Sequence, residues 1–242
     1  MEEKIFAPRL VEITFAENVI HALERLRDGK KVIKSHFSPK EMNDIGLCYW
    51  NGHIVPIDYK KAVRWYAYSA QQGYVVAEFN LYVCYYKGTG VNKNSRMALE
   101  WLKKAAKHGD PNAQDLLSEC YYSGSMVRKN RRWSQYWFDK SEKSAMEQED
   151  VVIINSLGMK YHFGSCGTPI DYNKAITYFE TAGEMDFSLS MSFLISIYIK
   201  IGNVKKVEYW MNKLRKCKTA TKAMLNASEK QYSSFLKVIV GD

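Results

Sequence analysis

Apolar positions along this chain recur on two scales. Between Val75 and Lys87, Ala77, Leu81, Cys84 and Tyr85 fall at i, i+4, i+7 and i+8, one stripe of an amphipathic helix. Gly88 then predicts a left-handed stop and "TGVNKN" a turn. A second stripe runs through Ala98, Trp101, Leu102 and Ala105 and ends at "HGD", with Pro111 just beyond. On the longer scale the whole unit returns. Tyr49, Tyr85, Tyr121, Tyr161 and Tyr198 are 36, 36, 40 and 37 residues apart, and Gly52, Gly88, Gly124 and Gly164 each follow a Tyr by three. A bulky aromatic comes later in each unit, at Trp65, Trp101, Trp137, Tyr178 and Trp210.

A hairpin with an apolar stripe on both helices cannot bury both alone, so neighbouring units must stack. The pattern therefore predicts an all-α fold, a right-handed α/α superhelical solenoid of about five helix-loop-helix repeats with capping helices. Residues 1–38 are expected to form an N-terminal capping segment with an amphipathic helix over Phe15 to Arg27. Repeats are expected over 39–216, opened by the "SPKE" capping box at Ser38 to Glu41. A final capping helix is expected within 217–242, over Thr219 to Val240. Four extra residues separate Trp137 from Tyr161, about one helical turn, so "SAMEQEDVVIIN" should hold a lengthened helix or an altered corner. The fifth unit loses four loop residues. Tyr82 and Ser118 replace the Gly found at Gly46 and Gly158, where helices should meet closely, and should widen those two units.

The matching residues resemble the Sel-one-like repeats (SLR), relatives of the tetratricopeptide repeats. The first unit carries Ile45, Gly46, Tyr49, Gly52, Asp58, Lys61, Ala62, Trp65 and Gly73, and the second Ala77, Leu81, Tyr85, Gly88, Ala98, Trp101 and Gly109. The third keeps Ala113, Leu117, Tyr121, Gly124 and Trp137, and the fourth Leu157, Gly158, Tyr161, Gly164, Asp171, Lys174, Ala175 and Tyr178. The resemblance covers roughly residues 40 to 216. It implies an adaptor or scaffold role, and for short bacterial members a role such as neutralising a toxin.

Composition is that of an ordinary globular chain, with hydrophobic residues at 46% and charged residues at 25%. No segment approaches 18 apolar residues, so no membrane partner is expected. The N-terminus lacks the pattern of a signal peptide. The five cysteines, Cys48, Cys84, Cys120, Cys166 and Cys217, are odd in number and far apart, which points to a reducing cytoplasm. Three of them precede the repeated Tyr and read as small buried hydrophobes. His21, His36, His53, His108 and His162 show no metal-ligand spacing, and no phosphate loop, dinucleotide fingerprint or nucleophile elbow is present. Neither a cofactor nor catalysis is expected.

What remains is a surface. Opposite the core stripe, the first helices place Trp50, then Phe79, Val83, Tyr86 and Lys87, then Tyr122, then Met159, His162 and Phe163. Trp and Tyr dominate many interface energies, so these nine residues are the candidate partner-binding set. The expected function is non-enzymatic binding of a protein or peptide in a concave groove, with a bacterial immunity or regulatory adaptor as the sharper form. A net charge of +9 suits an acidic partner such as a toxin, effector or signalling component. The alternative is nucleic-acid binding through "VRKNRRW" at Val127 to Trp133 and the Lys-rich segment from Lys205 to Lys222.

Overall fold

The computed structural model describes residues 16–165 and 167–240. Among them are twelve α-helices, a short 3-10 turn at Lys34–His36 and no strand. The helices are α1 (Glu17–Arg27), α2 (Pro39–Asn51), α3 (Tyr59–Gln71), α4 (Val75–Lys87), α5 (Ser95–Lys107) and α6 (Pro111–Ser123). They continue as α7 (Arg131–Glu147), α8 (Val151–Phe163), α9 (Tyr172–Glu184), α10 (Ser188–Ile201), α11 (Val204–Lys216) and α12 (Lys222–Val240). Five hairpins result, from α2 with α3 to α10 with α11. The expected N-terminal helix begins at Glu17, and Phe15 lies outside the described residues. The final helix starts at Lys222 rather than Thr219. The chain forms two compact units divided between Ser141 and Glu142, inside α7.

The repeated Gly closes each first helix. Gly52, Gly88, Gly124, Gly164 and Gly202 are all left-handed caps, with φ between 69° and 82°. The chain then turns back through one recurring bond. The N–H of Asp58 donates to the carbonyl of Tyr49 at 2.9 Å, and Asn94, Asn130, Asp171 and Asn203 do the same to Tyr85, Tyr121, Tyr161 and Tyr198. Each of these five residues also caps the second helix, its side-chain oxygen accepting the N–H three residues on. One short polar residue thus ends the loop and starts the next helix.

The capping box at the start of α2 is present, with Ser38 N–H donating to Glu41 at 2.7 Å. The four extra residues lengthen α7 to 17 residues, against 13 in α3, α5 and α9. The corner after α7 is turned by Glu149 at φ 52°, where the corners after α3 and α5 use Gly73 and Gly109. Only Gly202 and Asn203 join α10 to α11, the shortened fifth hairpin.

Inside the hairpins, residue size is matched across the helix pair. A Cβ on Gly46 would lie 2.6 Å from the Tyr66 ring, and one on Gly158 2.8 Å from the Phe179 ring. Where Tyr82 takes the Gly position, the facing residue is the smaller Leu102, and both are buried in one cluster. The extra bulk expected to widen that hairpin is offset on the partner helix. Ser118 is small enough to donate a hydrogen bond to the Ser134 carbonyl at 2.8 Å.

Candidate functional site

In the first unit, Trp50 is half-buried and meets the edge of Tyr59 at 5.0 Å and the ring of Tyr66 at 6.3 Å. Tyr59, the first residue of α3, is 41% exposed. Tyr86 is 42% exposed and stacks on the buried Tyr82 at 5.6 Å, with the Lys93 ammonium 5.9 Å from its ring. Phe79, half-buried, leans on Tyr82 at 5.5 Å. Tyr122 is half-buried beside Lys129, and Lys87 is exposed. Val83 has to leave the set. It is buried in the cluster with Tyr82, Ala98 and Leu117, because the apolar face of α4 is wider than one stripe.

In the second unit, His162 is an aromatic hub. Its ring lies 4.6 Å from Phe163, 5.4 Å from Tyr172, 6.3 Å from Phe179 and 6.4 Å from Phe193. Phe163 and Tyr172 are 58% and 57% exposed. Burial, followed by the nearby Lys200 charge, holds the His162 pKa below the usual histidine value. Met159 is half-buried, its sulfur 3.6 Å from the Asn155 amide.

Trp50 and His162 hold the same repeat position, and each packs on the Tyr that opens the following helix. Tyr59 and Tyr172 are therefore exposed members of these faces that the helix-stripe argument missed. Their signal was in the sequence, as "DYKKA" at Asp58 to Ala62 and "DYNKA" at Asp171 to Ala175. The capping Asp fixes the helix start and points the next residue outward.

The cysteine column is buried and unbridged at Cys48, Cys84 and Cys120. Burial pushes the Cys48 and Cys84 thiols up to about 12 and raises that of Cys120. Cys166 lies outside the described residues. Among the described residues no group of three or more His, Cys, Asp or Glu could hold a metal ion, and no helix is long and apolar enough to cross a membrane. The basic segment is partly spent on structure: Lys206 pairs with Glu180 at 2.7 Å, Lys213 with Glu184 at 2.6 Å and Arg215 with Glu229 at 2.7 Å. In the other basic stretch Trp133 is half-exposed and stacks on Tyr121 at 6.2 Å, beside exposed Arg131 and Arg132.

Helix pairs repeated with shared caps and shared size-matching define an all-α repeat solenoid. The Sel1 repeat model matches residues 42–74, 75–110, 111–144 and 154–187, more than half of the chain, and the protein belongs to the Sel1 repeat family. The fifth hairpin lies beyond these matches. Among solved structures, a Sel1 repeat protein from Oxalobacter formigenes is similar with a TM-score of 0.66 at 22% identity, over 90% of this chain and 98% of that one. The immunity protein Pa5087 from Pseudomonas aeruginosa is similar with a TM-score of 0.51 at 16% identity, over 92% of this chain and 84% of that one. Comparison with curated proteins gives no match.

Proposed function

We propose that this protein is a non-enzymatic scaffold that captures another protein on the exposed aromatic faces built around Trp50 and Tyr86 in the first unit and His162 in the second. Sel1 repeats mediate protein–protein interaction. The observation that carries the reading is the His162 group, where Phe163 and Tyr172 stand more than half exposed around a ring already packed from below. Large aromatics left in water at fixed geometry cost little further entropy on binding and offer much area to a partner. The particular role we propose is that of a bacterial immunity or regulatory adaptor acting in a reducing cytoplasm. The Pseudomonas immunity protein of the same fold is a precedent for that role.

Affinity capture from source cells with mass spectrometry tests this. Capture of one dominant protein by the native chain, lost in Tyr86→Ala and Phe163→Ala and kept in Lys205→Glu, is the expected result. Equal capture by all four proteins would remove the aromatic faces from the function. Nucleic-acid binding keeps one supporting feature, the half-exposed Trp133 beside Arg131 and Arg132. A gel-shift series against salt decides it, because phosphate contacts weaken steeply as salt rises.

A further inference from the structure

The repeated Tyr has a lid. The Lys61 ammonium lies 5.3 Å from the Tyr49 ring, Lys174 lies 4.7 Å from Tyr161, and Lys206 lies 5.8 Å from Tyr198. In the fourth and fifth hairpins the Tyr hydroxyl holds a carboxylate from earlier in the chain, and in the fifth the Lys bonds that carboxylate as well. Tyr161 donates to Glu142 at 3.2 Å, Lys174 donates to the Tyr161 hydroxyl at 3.2 Å, and Tyr178 donates to the same Glu142 oxygen. Tyr198 donates to Glu180 at 2.9 Å and Lys206 to the same oxygen at 2.7 Å. The acid stands 19 residues before the Tyr in one case and 18 in the other.

The second and third hairpins have neither partner. The Lys position is held by Met97 and Trp133, and the residues 19 and 18 places before the Tyr are not acids, being Tyr66 and Ala67 for Tyr85 and Leu102 and Lys103 for Tyr121. The lysine and the acid are thus kept together or lost together, with one exception. The first hairpin keeps Tyr49 and Lys61, but counting back 19 and 18 residues reaches Lys30 and Lys31.

At that place there is a cavity of about 330 Å³ between the end of α1 and the hairpin of α2 and α3. It is lined by Tyr49, Lys61 and Trp65 together with Lys30, Lys34, Arg64 and Tyr68, and no acidic residue is among its lining. Two acids stand near its rim, Asp28 at 3.9 Å from Lys30 and Asp58 at 3.5 Å from Lys61. The aromatic faces are not open for stacking a ring. The Lys34 ammonium sits 3.5 Å over Tyr68, and Trp65 and Tyr49 are buried. What the cavity offers is cationic donors and a phenol hydroxyl.

We propose that this cavity receives a carboxylate from an acidic segment of the partner protein, seated between the Tyr49 hydroxyl and the Lys61 ammonium as Glu180 is seated between Tyr198 and Lys206 in the fifth hairpin. Arg64 and Lys34 complete the grip. The inference rests on the protein-binding reading above and specifies the chemistry of the partner. Charge-assisted bonds of this kind are about twice as strong as neutral ones, and their loss is felt most when one partner is removed alone.

The test is a fluorescence-anisotropy titration of the full chain at low salt with a labelled peptide of four consecutive glutamates flanked by glycines. Its glutamine analogue and a labelled oligothymidine serve as the other probes. The glutamate peptide should bind saturably, the glutamine analogue about tenfold more weakly, and Arg64→Glu and Lys34→Glu should each weaken glutamate binding about fivefold or more. Tyr49→Phe should weaken it with the helical circular dichroism unchanged, and Lys205→Glu, a charge outside the cavity lining, should leave it within about twofold of the native value. Absence of saturable binding, an equal loss in Lys205→Glu, or preference for the oligothymidine would overturn the proposal. The titration contains no partner, so such a failure leaves the aromatic faces and their capture experiment untouched. Loss of the aromatic reading would likewise show only in the capture.

Discussion

Gly90 lies against the backbone of Tyr59 in the preceding hairpin so closely that a Cβ on Gly90 would stand 2.3 Å from the Tyr59 carbonyl oxygen. Its φ of 75° also demands a left-handed backbone. The same loop position one repeat earlier is Ile54, a β-branched residue at φ 65°. Ile54 is 36% exposed, so its side chain has room while the strain remains. Gly90→Ala should therefore destabilise the protein by about 2–4 kcal/mol, combining left-handed strain with overpacking on rigid backbone. Ile54→Gly, where relieved strain offsets lost contacts, should stay within about 1 kcal/mol of native. Urea denaturation of both variants checks this, and a Gly90→Ala as mild as Ile54→Gly would mean that the two hairpins are not in this contact.

Burial separates two classes of aromatic. Tyr66 and Phe179 are fully buried opposite Gly46 and Gly158, whereas Tyr85 and Trp101 are only half-buried. Tyr66→Ala and Phe179→Ala should cost about 3–5 kcal/mol, the usual loss for a large core ring. Tyr85→Ala and Trp101→Ala should cost less, about 1–3 kcal/mol. Equal losses in all four would show that Tyr85 and Trp101 are better covered than their half-exposure indicates.

That difference also marks how far the sequence could be read. Period and stripe alone give the hairpins, the Gly caps, the capping box at Ser38 and the lengthened α7, because each depends on residues close in the chain. The exposure of Tyr85 and the burial of Val83 depend on what packs across from them. A helical wheel gives a direction and cannot say whether Leu117 or water lies there. The acid that meets Tyr161 escaped for the same reason. Glu142 is 19 residues from Tyr161 in sequence and meets it only through the packing of one hairpin on the next, as Glu180 meets Tyr198. The left-handed residues Glu149 and Asp186 carry no local signal, being held at positive φ by the corners they turn. The candidate faces were half legible: Trp50, Tyr86, His162 and Phe163 follow from the wheel, whereas Tyr59 and Tyr172 needed the helix starts to be known.

Cys48, Cys84 and Cys120 should resist thiol reagents in the native protein. Their raised pKa values keep them protonated at pH 7 and burial blocks access. Cys217 is half-exposed, with its sulfur 3.2 Å from the Asp186 carbonyl, and should be modified first among these four. Native titration with a chromogenic disulfide, followed by peptide mapping, reads each site. Rapid modification of Cys84 would place the cysteine column at the surface and rotate α4 in its hairpin.

His162 should make stability fall with acid in one particular window. Its folded pKa lies below the ordinary histidine value of about 6.5, chiefly because burial disfavours the charged ring and secondarily because Lys200 repels it. The unfolded chain therefore binds a proton that the folded chain refuses. Stability from this group is fully present above about pH 6.5, is lost as pH falls from there toward the folded pKa, and changes no further below it. The carboxylates held low by their partners, Glu41 by Asn18 and Ser38, Glu184 by Lys213 and Glu229 by Arg215, act in a lower window. Their contribution is present above about pH 4.5 and is lost as pH drops through their folded values. Thermal melts from pH 7.5 to 3.5 should thus show two separate declines. His162→Phe should abolish the upper decline and leave the lower one, since a phenyl ring keeps the contacts with Phe163, Tyr172 and Phe193 without titrating. If the upper decline survives in His162→Phe, another group is responsible, and the His162 ring is hydrated enough in the folded chain to take its proton as readily as in the unfolded one.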